Sequence, residues 1–328
     1  MGMAASFPVG VFAPQGWRMD LVDIPDPVAQ YEAMTRVAQE AERLGFDSVW
    51  LYDHFHTVPQ PSLNTTFECW TSMAGLARDT QRIRLGQMVT CNGYRSPALL
   101  AKIASTVDVM SHGRLDFGIG AGWYEHEYRA FGYDYPDAPT RLKMLGEAVQ
   151  IIRAMWTEDY ATFQGRFYQV NGAINQPKGA QKPHPPLWIG GSGEKVTLKL
   201  VAQYGDACNI GAGNQPDLYR HKFAVLREHC DKLGRDYDGI VRSANLNVFL
   251  LEPGEVSRAE GLTARIRGAT PLADYRKENF IGTAPELIDV VGRLREAGVT
   301  YLILYVHEAA HLERLQAVGR DVLPHIRG

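Results

Sequence analysis

The sequence predicts an α/β fold, a (β/α)8 TIM barrel with insertions, on three observations. Short β-branched and apolar runs alternate with longer segments of helical apolar spacing, which is typical of a parallel sheet covered by helices. Eight such strand–helix units fit into the 328 residues, a usual length for this barrel. No GxGxxG turn follows the first strand, which disfavours a doubly wound dinucleotide-binding fold.

The individual elements follow from local signals. The first helix has apolar residues every three or four positions and stops at Gly45, a frequent helix terminator. Pro97 stands near the first turn of the third helix, where proline is tolerated. The predicted strands are 7–13, 47–52, 83–89, 115–120, 186–189, 207–210, 243–251 and 301–305. The predicted helices are 28–44, 67–78, 97–110, 141–156, 194–204, 217–233, 284–297 and 312–323.

Two segments exceed the length of ordinary connections. Residues 159–185 carry a hairpin-like run, and residues 252–282 are polar and irregular. Long insertions on a barrel usually serve as lids or dimer contacts. Because no linker or shift in composition divides the chain, we expect a single domain over residues 1–328.

Composition excludes several classes of protein. The chain is 45% hydrophobic and 22% charged, so it can build a full core and is not disordered. A net charge of −3 gives no electrostatic case for nucleic acid or for an anionic membrane. The longest apolar runs are strand-sized, well short of the ~20 residues of a membrane helix. The four cysteines are too far apart for a CxxC motif, so we expect free thiols and a soluble, cytoplasmic protein.

The strand ends are where a barrel carries its reactive groups. The second predicted strand runs directly into Asp53 and His54, a pair that could form a base with its orienting carboxylate. A histidine packed under a loop is the alternative. His54 and His56 also form an HxH sequence, which supplies two metal ligands in some metallohydrolase barrels. Only His307 and Glu308 stand at a later strand end as further ligands, so a metal site is disfavoured.

Two glycine-rich turns predict close backbone approaches. The fourth strand ends with alternating glycines over 118–122, where the backbone comes close either to a flat ligand or to a neighbouring strand. The fifth strand is followed by glycines over 190–193 at a helix start, where free N–H groups form a natural phosphate seat. The second turn lacks the GK[ST] ending of a nucleoside-triphosphate loop, which disfavours ATP as a ligand. The sequence also contains no GxSxG motif, which disfavours a serine hydrolase. Together these turns favour a planar, phosphorylated cofactor.

These motifs resemble the bacterial-luciferase-like flavin and deazaflavin oxidoreductases, and most closely the branch that uses coenzyme F420. The resemblance covers most of the chain and is strongest over 46–55, 83–90, 118–127 and 186–193. Four motifs in the expected order make it specific. One departure is Trp123, which stands where the sugar-phosphate dehydrogenases of this group have a glutamate, and it argues against a phosphosugar substrate.

The resemblance implies the position of the cofactor. Asp53 and His54 match the pair beside the deazaflavin ring, and Met88 with Val89 matches a bulge with a non-prolyl cis peptide behind the ring. The glycines over 190–193 match the loop that holds the cofactor phosphate. The implied cofactor-binding residues are Asp53, His54, Met88, Val89, Thr90, Cys91, His126, Gly190, Gly191, Ser192 and Gly193.

The resemblance also implies an activity, a hydride transfer between F420 and a small organic substrate. His54 would hold or move the accompanying proton, with Asp53 orienting its ring. The substrate would lie under the insertions 159–185 and 252–282. Aromatic side chains expected near the cleft mouth suggest an apolar or aromatic substrate, and they are Trp17, Trp70, Trp123 and Tyr94.

Three questions stay open at this point. An FMN-dependent monooxygenase that uses reduced flavin and O2 is an alternative within the family. A non-catalytic flavin-binding barrel is an alternative of another class. For assembly, the apolar stripes on helices 28–44 and 67–78 favour a homodimer or a dimer of dimers, unless both stripes simply pack on the barrel.

Overall fold

Eight parallel strands close into a barrel in the computed structural model, which describes residues 7–327. The predicted (β/α)8 fold is therefore confirmed. In chain order the strands are β1 Val9–Phe12, β2 Ser48–Leu51, β3 Arg84–Gln87, β4 Thr90–Cys91, β5 Leu115–Gly120, β6 Ala161–Gln164, β7 Gln169–Ala173, β8 Leu187–Gly190, β9 Ala207–Ile210, β10 Val241–Leu250, β11 Phe280–Gly282 and β12 Tyr301–Val306. The barrel consists of β1, β2, β3, β5, β8, β9, β10 and β12, and β12 pairs with β1 to close it.

The helices surround the barrel and begin and end where capping signals stand. Asp26 accepts a hydrogen bond from the N–H of Ala29 at 2.7 Å and so caps the first helix, which ends at Gly45 with a left-handed φ of 88°. In chain order the helices are α1 Pro27–Leu44, α2 Cys69–Asp79, α3 Pro97–Met110, α4 Glu125–Ala130, α5 Ala138–Thr157, α6 Thr197–Tyr204, α7 Pro216–Leu233, α8 Ala259–Leu262, α9 Ala264–Arg267, α10 Leu272–Tyr275, α11 Ala284–Glu296, α12 Glu313–Asp321 and α13 Leu323–Ile326. Every predicted helix is present, and the short helices α4, α8 to α10 and α13 were not predicted.

Aromatic side chains fill the interior of the barrel. The Trp50 ring meets the edge of the Trp188 ring at 4.8 Å, and Trp188 in turn meets Tyr301 at 5.1 Å. At the amino ends of the strands, Arg84 forms a two-pronged ion pair with Asp116 at 2.7 and 2.8 Å. This packing closes the lower half of the barrel, so the open space lies at the carboxyl ends of the strands.

The insertion 159–185 contains the antiparallel hairpin β6–β7, as predicted. The Glu147 carboxylate on α5 accepts the N–H groups of Arg166, Phe167 and Tyr168 at 2.9 to 3.1 Å. These bonds fix the hairpin against the outer layer of the barrel.

The insertion 252–282 is more regular than the sequence predicts. It folds into a 3-10 segment at Pro253–Arg258, the helices α8 to α10, and β11, which pairs with the carboxyl half of β10. Helices of four residues are shorter than the window over which helical periodicity becomes visible, so the sequence pattern appears irregular.

The apolar stripes of α1 and α2 face the barrel of the same chain. Their buried residues include Met34 and Val37 on α1, and Met73 and Leu76 on α2. These apolar stripes are therefore buried within one chain and do not by themselves require a partner subunit. All four cysteines are buried free thiols, as expected. No helix within residues 7–327 combines the length and the apolar character needed to cross a bilayer.

Candidate active site

A cleft of about 680 Å³ opens at the carboxyl ends of the barrel strands. It collects the segments that follow β2, β3, β5, β8 and β9, and so brings together ten of the eleven residues predicted to bind the cofactor. Further lining residues that the sequence did not single out are Tyr52, Ala138, Arg141, Leu142, Thr197, Asn209 and Asn245.

His54 lies in the wall of this cleft in a fixed orientation. Its ring stacks on Trp17 with the planes 1° apart and the centroids at 4.4 Å. Its Nδ1 lies 2.8 Å from Oε2 of Glu127. Its Nε2 has no hydrogen-bond partner within residues 7–327. Since the ring lines the cleft, Nε2 is the nitrogen available to a bound molecule.

The carboxylate that orients His54 is Glu127, not Asp53. Glu127 is fully buried on α4 and accepts four hydrogen bonds. Oε1 accepts from the N–H groups of Phe55 and His56 at 2.6 and 2.8 Å, and Oε2 accepts from His54 and from the Tyr94 hydroxyl at 2.8 and 2.7 Å.

The charge state of Glu127 fixes the tautomer of His54. Burial alone would raise the pKa of Glu127, but the hydrogen bonds from His54, from the N–H of His56 and from the Tyr94 hydroxyl lower it overall. An ionised carboxylate can only accept, so Nδ1 of His54 carries a hydrogen. In the neutral ring Nε2 is then a free acceptor, which is the form needed to take a proton from a ligand.

Asp53 lies beside His54 but performs a different task from the one predicted. Its carboxylate forms a two-pronged ion pair with Arg95 at 2.7 and 3.0 Å and accepts the N–H of Cys91 at 2.8 Å. These bonds tie the end of β2 to the segment after β3. Asp53 therefore positions the segment after β3 that lines the cleft, whereas Glu127 orients the His54 ring.

The segment after β3 forms a bulge with a cis peptide bond between Met88 and Val89, as the resemblance implies. The Val89 side chain points between two glycines. A Cβ at Gly120 would lie 2.7 Å from Val89, and a Cβ at Gly190 would lie 2.8 Å from it. The glycines therefore make room for the Val89 side chain, which belongs to the neighbouring segment after β3. Val89 also lines the cleft.

Several unpaired polar groups indicate where a flat, phosphorylated group would fit. Thr90 Oγ1 is buried without a hydrogen-bond partner in the described part of the chain. The N–H groups of Ser192 and Gly193 likewise have no protein acceptor there, and Gly191 adopts a φ of 127° that turns the loop away from β8. Arg141 has no carboxylate within 4 Å among the described residues and contacts the carbonyl of Gly122 at 3.2 Å. These donors fit a phosphorylated cofactor.

Cys91 lines the cleft as an inert thiol. Burial is the main cause that raises its pKa to about 12, and its Sγ lies 2.9 Å from the Tyr128 hydroxyl. A thiol with this pKa is protonated at neutral pH and is a poor nucleophile.

Three features that the sequence places at the site do not line this cleft. His126 is exposed on the outer side of α4 and does not line the cleft; its ring packs on His56 at 5.1 Å. Trp70 is buried in the outer core against Phe117. No residue of the insertion 159–185 lines the cleft.

The HxH sequence does not gather metal ligands. His54 faces Glu127, whereas His56 packs on His126 and on Phe131. Within residues 7–327 no group of three or more His, Cys, Asp or Glu side chains is placed to hold a metal ion.

The barrel, its glycine-walled cleft and the oriented histidine form a site that fits a planar, phosphorylated cofactor. The chain belongs to the luciferase-like monooxygenase family, whose model matches residues 7–303. An F420-dependent glucose-6-phosphate dehydrogenase of Microbacterium testaceum is 27% identical over 88% of this chain and 91% of its own. The oxygenase component of a flavin-dependent trigonelline monooxygenase of Acinetobacter baylyi is 28% identical over 90% of this chain and 89% of its own.

Solved structures share the fold. An F420-dependent secondary alcohol dehydrogenase in complex with an F420–acetone adduct superposes with a TM-score of 0.81, covering 98% of this chain and 100% of its own at 22% identity. An EDTA monooxygenase from Chelativorans superposes with a TM-score of 0.80 at 14% identity, covering 98% of this chain and 93% of its own. Proteins with F420 and monooxygenases thus share this barrel.

Proposed function

We propose that the protein is an F420-dependent oxidoreductase that transfers a hydride between the deazaflavin and a small organic substrate. The observation that carries this proposal is the His54–Glu127 pair, which leaves Nε2 of His54 as a proton acceptor inside the cleft. Relatives named as F420-dependent dehydrogenases align over most of the chain, which supports the same cofactor.

The cofactor, when bound, would supply the two-electron hydride chemistry. The Val89 bulge and Thr90 would support its ring, and the N–H groups of Ser192 and Gly193 would hold its phosphate. The accompanying proton transfer would be performed by a side chain of the protein, His54. As the substrate loses a hydride from carbon, His54 Nε2 takes the proton from its oxygen or nitrogen, and in the reverse direction it returns that proton.

An FMN-dependent monooxygenase is the second candidate. The similarity at 28% identity to a protein named as a flavin-dependent monooxygenase favours it. A purely cofactor-binding barrel is disfavoured by Glu127, since a buried carboxylate that four hydrogen bonds hold against one ring nitrogen is costly to assemble for binding alone.

The cofactor is the first prediction. We expect the purified protein to bind oxidised F420 more tightly than FMN, by about tenfold or more, in parallel fluorescence titrations. Tight FMN binding without measurable F420 binding would contradict the proposal and favour the monooxygenase. The substitution Ser192→Pro removes one N–H donor from the phosphate seat and is expected to weaken the binding of either phosphorylated cofactor.

The second prediction concerns assembly. We expect a homodimer or a dimer of dimers, because Leu99 and Val109 on α3 and Ile174 in the insertion remain exposed although the barrel-facing residues of α1 and α2 are buried. Light scattering at micromolar concentration is expected to give at least twice the chain mass of 36.5 kDa. A monomeric mass would contradict the prediction, and Leu99→Asp is expected to lower the mass if α3 forms the interface.

A further inference from the structure

A second cavity of about 680 Å³, called here the side chamber, lies directly beside the cleft. The two spaces share Trp17, Trp123 and Tyr124 as walls. The outer wall of the side chamber comes from the insertion 252–282, and its floor comes from the loop after β1 and the end of β12. A molecule in the side chamber would therefore lie against the same Trp17 ring on which His54 stacks.

Three buried nitrogen atoms around the side chamber have no hydrogen-bond partner among the described residues. They are Nε1 of Trp17, Nε of Arg18 and Nε2 of His307. Buried polar groups in folded proteins are nearly always paired, so three unpaired nitrogens at one cavity point to a ligand that supplies acceptors. Burial is the main cause that lowers the pKa of His307 to about 3, so its ring is neutral and can donate from one nitrogen.

Arg18 is the only guanidinium on this cavity, within residues 7–327, that lacks a carboxylate partner within 4 Å. It donates to the amide oxygen of Asn247 at 3.0 Å and lies over the ring of Tyr305 at 4.7 Å and the ring of Trp17 at 5.1 Å. Contacts with ring faces and one amide oxygen replace only part of the hydration that a guanidinium charge loses on burial. The charge of Arg18 is thus left for an anion to complete.

The other charged groups of the side chamber are already paired. Arg265 pairs with Asp23, Arg267 pairs with Glu260, and Glu308 pairs with Arg314.

Within residues 7–327, Asp20 is the one further carboxyl group on the side chamber. Its oxygens accept from the N–H of Gly16 at 2.6 Å and from the hydroxyl of Tyr305 at 2.9 Å, and burial is the main cause that raises its pKa. Each oxygen thus already accepts one hydrogen bond, and Asp20 acts on the charge of Arg18 only through space, without an ion pair within 4 Å among the described residues.

We propose that the side chamber binds the carboxylate of a substrate with an aromatic or apolar body, and that Arg18 is the residue that recognises it. The proposal rests on the proposed function, in which the neighbouring cleft holds the cofactor. The body of the substrate would lie among Trp17, Trp123 and Tyr305, with its reacting end toward His54. An acid group of the cofactor is the other source of such an anion, but the phosphate seat at Gly190–Gly193 shares no residue with the side chamber.

The test compares a matched pair of probes, 2-naphthoate and 2-naphthamide, by isothermal titration calorimetry on the cofactor-loaded protein. The wild type is expected to bind the acid about tenfold more tightly than the amide, because a hydrogen bond to a charged group discriminates by this amount. Arg18→Met is expected to abolish this preference while the affinity for the amide stays within about twofold, and Arg18→Lys is expected to retain part of it. Arg265→Met, whose guanidinium is already paired, is the control and is expected to keep the preference.

The outcomes separate this inference from the proposed function. Equal affinity of the wild type for both probes, or an unchanged preference in Arg18→Met, overturns the inference while F420 binding leaves the proposed function standing. If Arg18→Met instead weakens F420 binding about tenfold and leaves the probes unaffected, the anion belongs to the cofactor and the substrate assignment is wrong. The same titrations are repeated on the protein without cofactor, so a protein that binds no F420 still tests the side chamber.

Discussion

Replacement of His54 by asparagine is expected to lower the rate of hydride transfer by about 10² to 10⁴ without loss of the fold. The amide nitrogen of asparagine can take the place of Nδ1 and donate to Glu127, so the buried carboxylate keeps its partner. What disappears is Nε2, the acceptor in the cleft. The rate is measured in single turnover with bound F420 and the best substrate of a screen, alongside cofactor affinity and melting temperature.

The controls for His54 distinguish its three possible roles. Cofactor affinity is expected to change little, because the phosphate seat and the Val89 bulge are untouched. His126→Ala, on the same rim but outside the cleft, is expected to retain full activity. Full activity in a folded His54→Asn protein would remove His54 from the mechanism, and a lower melting temperature with unchanged specific activity would leave it a packing role only.

The fold was predictable because its signal is repeated. The alternation of strands and helices recurs eight times, and each unit supports the interpretation of the others. The predicted ends of a strand differ from the observed ends where the backbone departs from regular strand geometry. The predicted strand 83–89 ends at Gln87, the bulge at Met88–Val89 follows, and regular pairing resumes only as β4 at Thr90–Cys91.

The partner of His54 was not predictable from the adjacency of Asp53 and His54. Successive side chains leaving an extended strand point in opposite directions, so neighbours in sequence seldom face each other. Asp53 turns toward Arg95, and the orienting carboxylate comes from Glu127, 73 positions away. A helix of six residues such as α4 is too short for periodicity to show which of its sides is buried. The only sequence signal for Glu127 is its place at the end of the motif 118–127.

The side chamber depends on contacts that no local pattern contains. Arg18 follows β1, His307 follows β12, and the outer wall comes from short helices within 252–282. Barrel closure brings the first and last strands together, which explains why residues 289 positions apart line one cavity. The sequence predicted that the insertion 252–282 covers a substrate, and the structure places that insertion over the side chamber rather than over the cleft.

Replacement of Glu127 by glutamine is expected to invert the tautomer of His54. The oxygen of the glutamine must occupy the place of Oε1, because two backbone N–H groups, of Phe55 and His56, point at that position. Its NH2 group then occupies the place of Oε2 and donates to Nδ1 of His54, which moves the ring hydrogen to Nε2. The ring can no longer accept a proton from a ligand in the cleft. The rate of hydride transfer is expected to fall by about 10²-fold or more, although the shape of the site is retained.

The tautomer provides a direct measurement that needs no substrate. In 15N-labelled protein, the ring nitrogens of His54 are expected to show the hydrogen on Nδ1 in the wild type and on Nε2 in Glu127→Gln. Glu125→Gln on the same helix, whose carboxylate is half-exposed and pairs with Arg129, is the matched control and is expected to keep the wild-type tautomer and rate. A wild-type tautomer with full activity in Glu127→Gln would show that Glu127 only packs the helix. An inverted tautomer with an unchanged rate would show that Nε2 does not handle the proton, since the acceptor would be lost while catalysis continued.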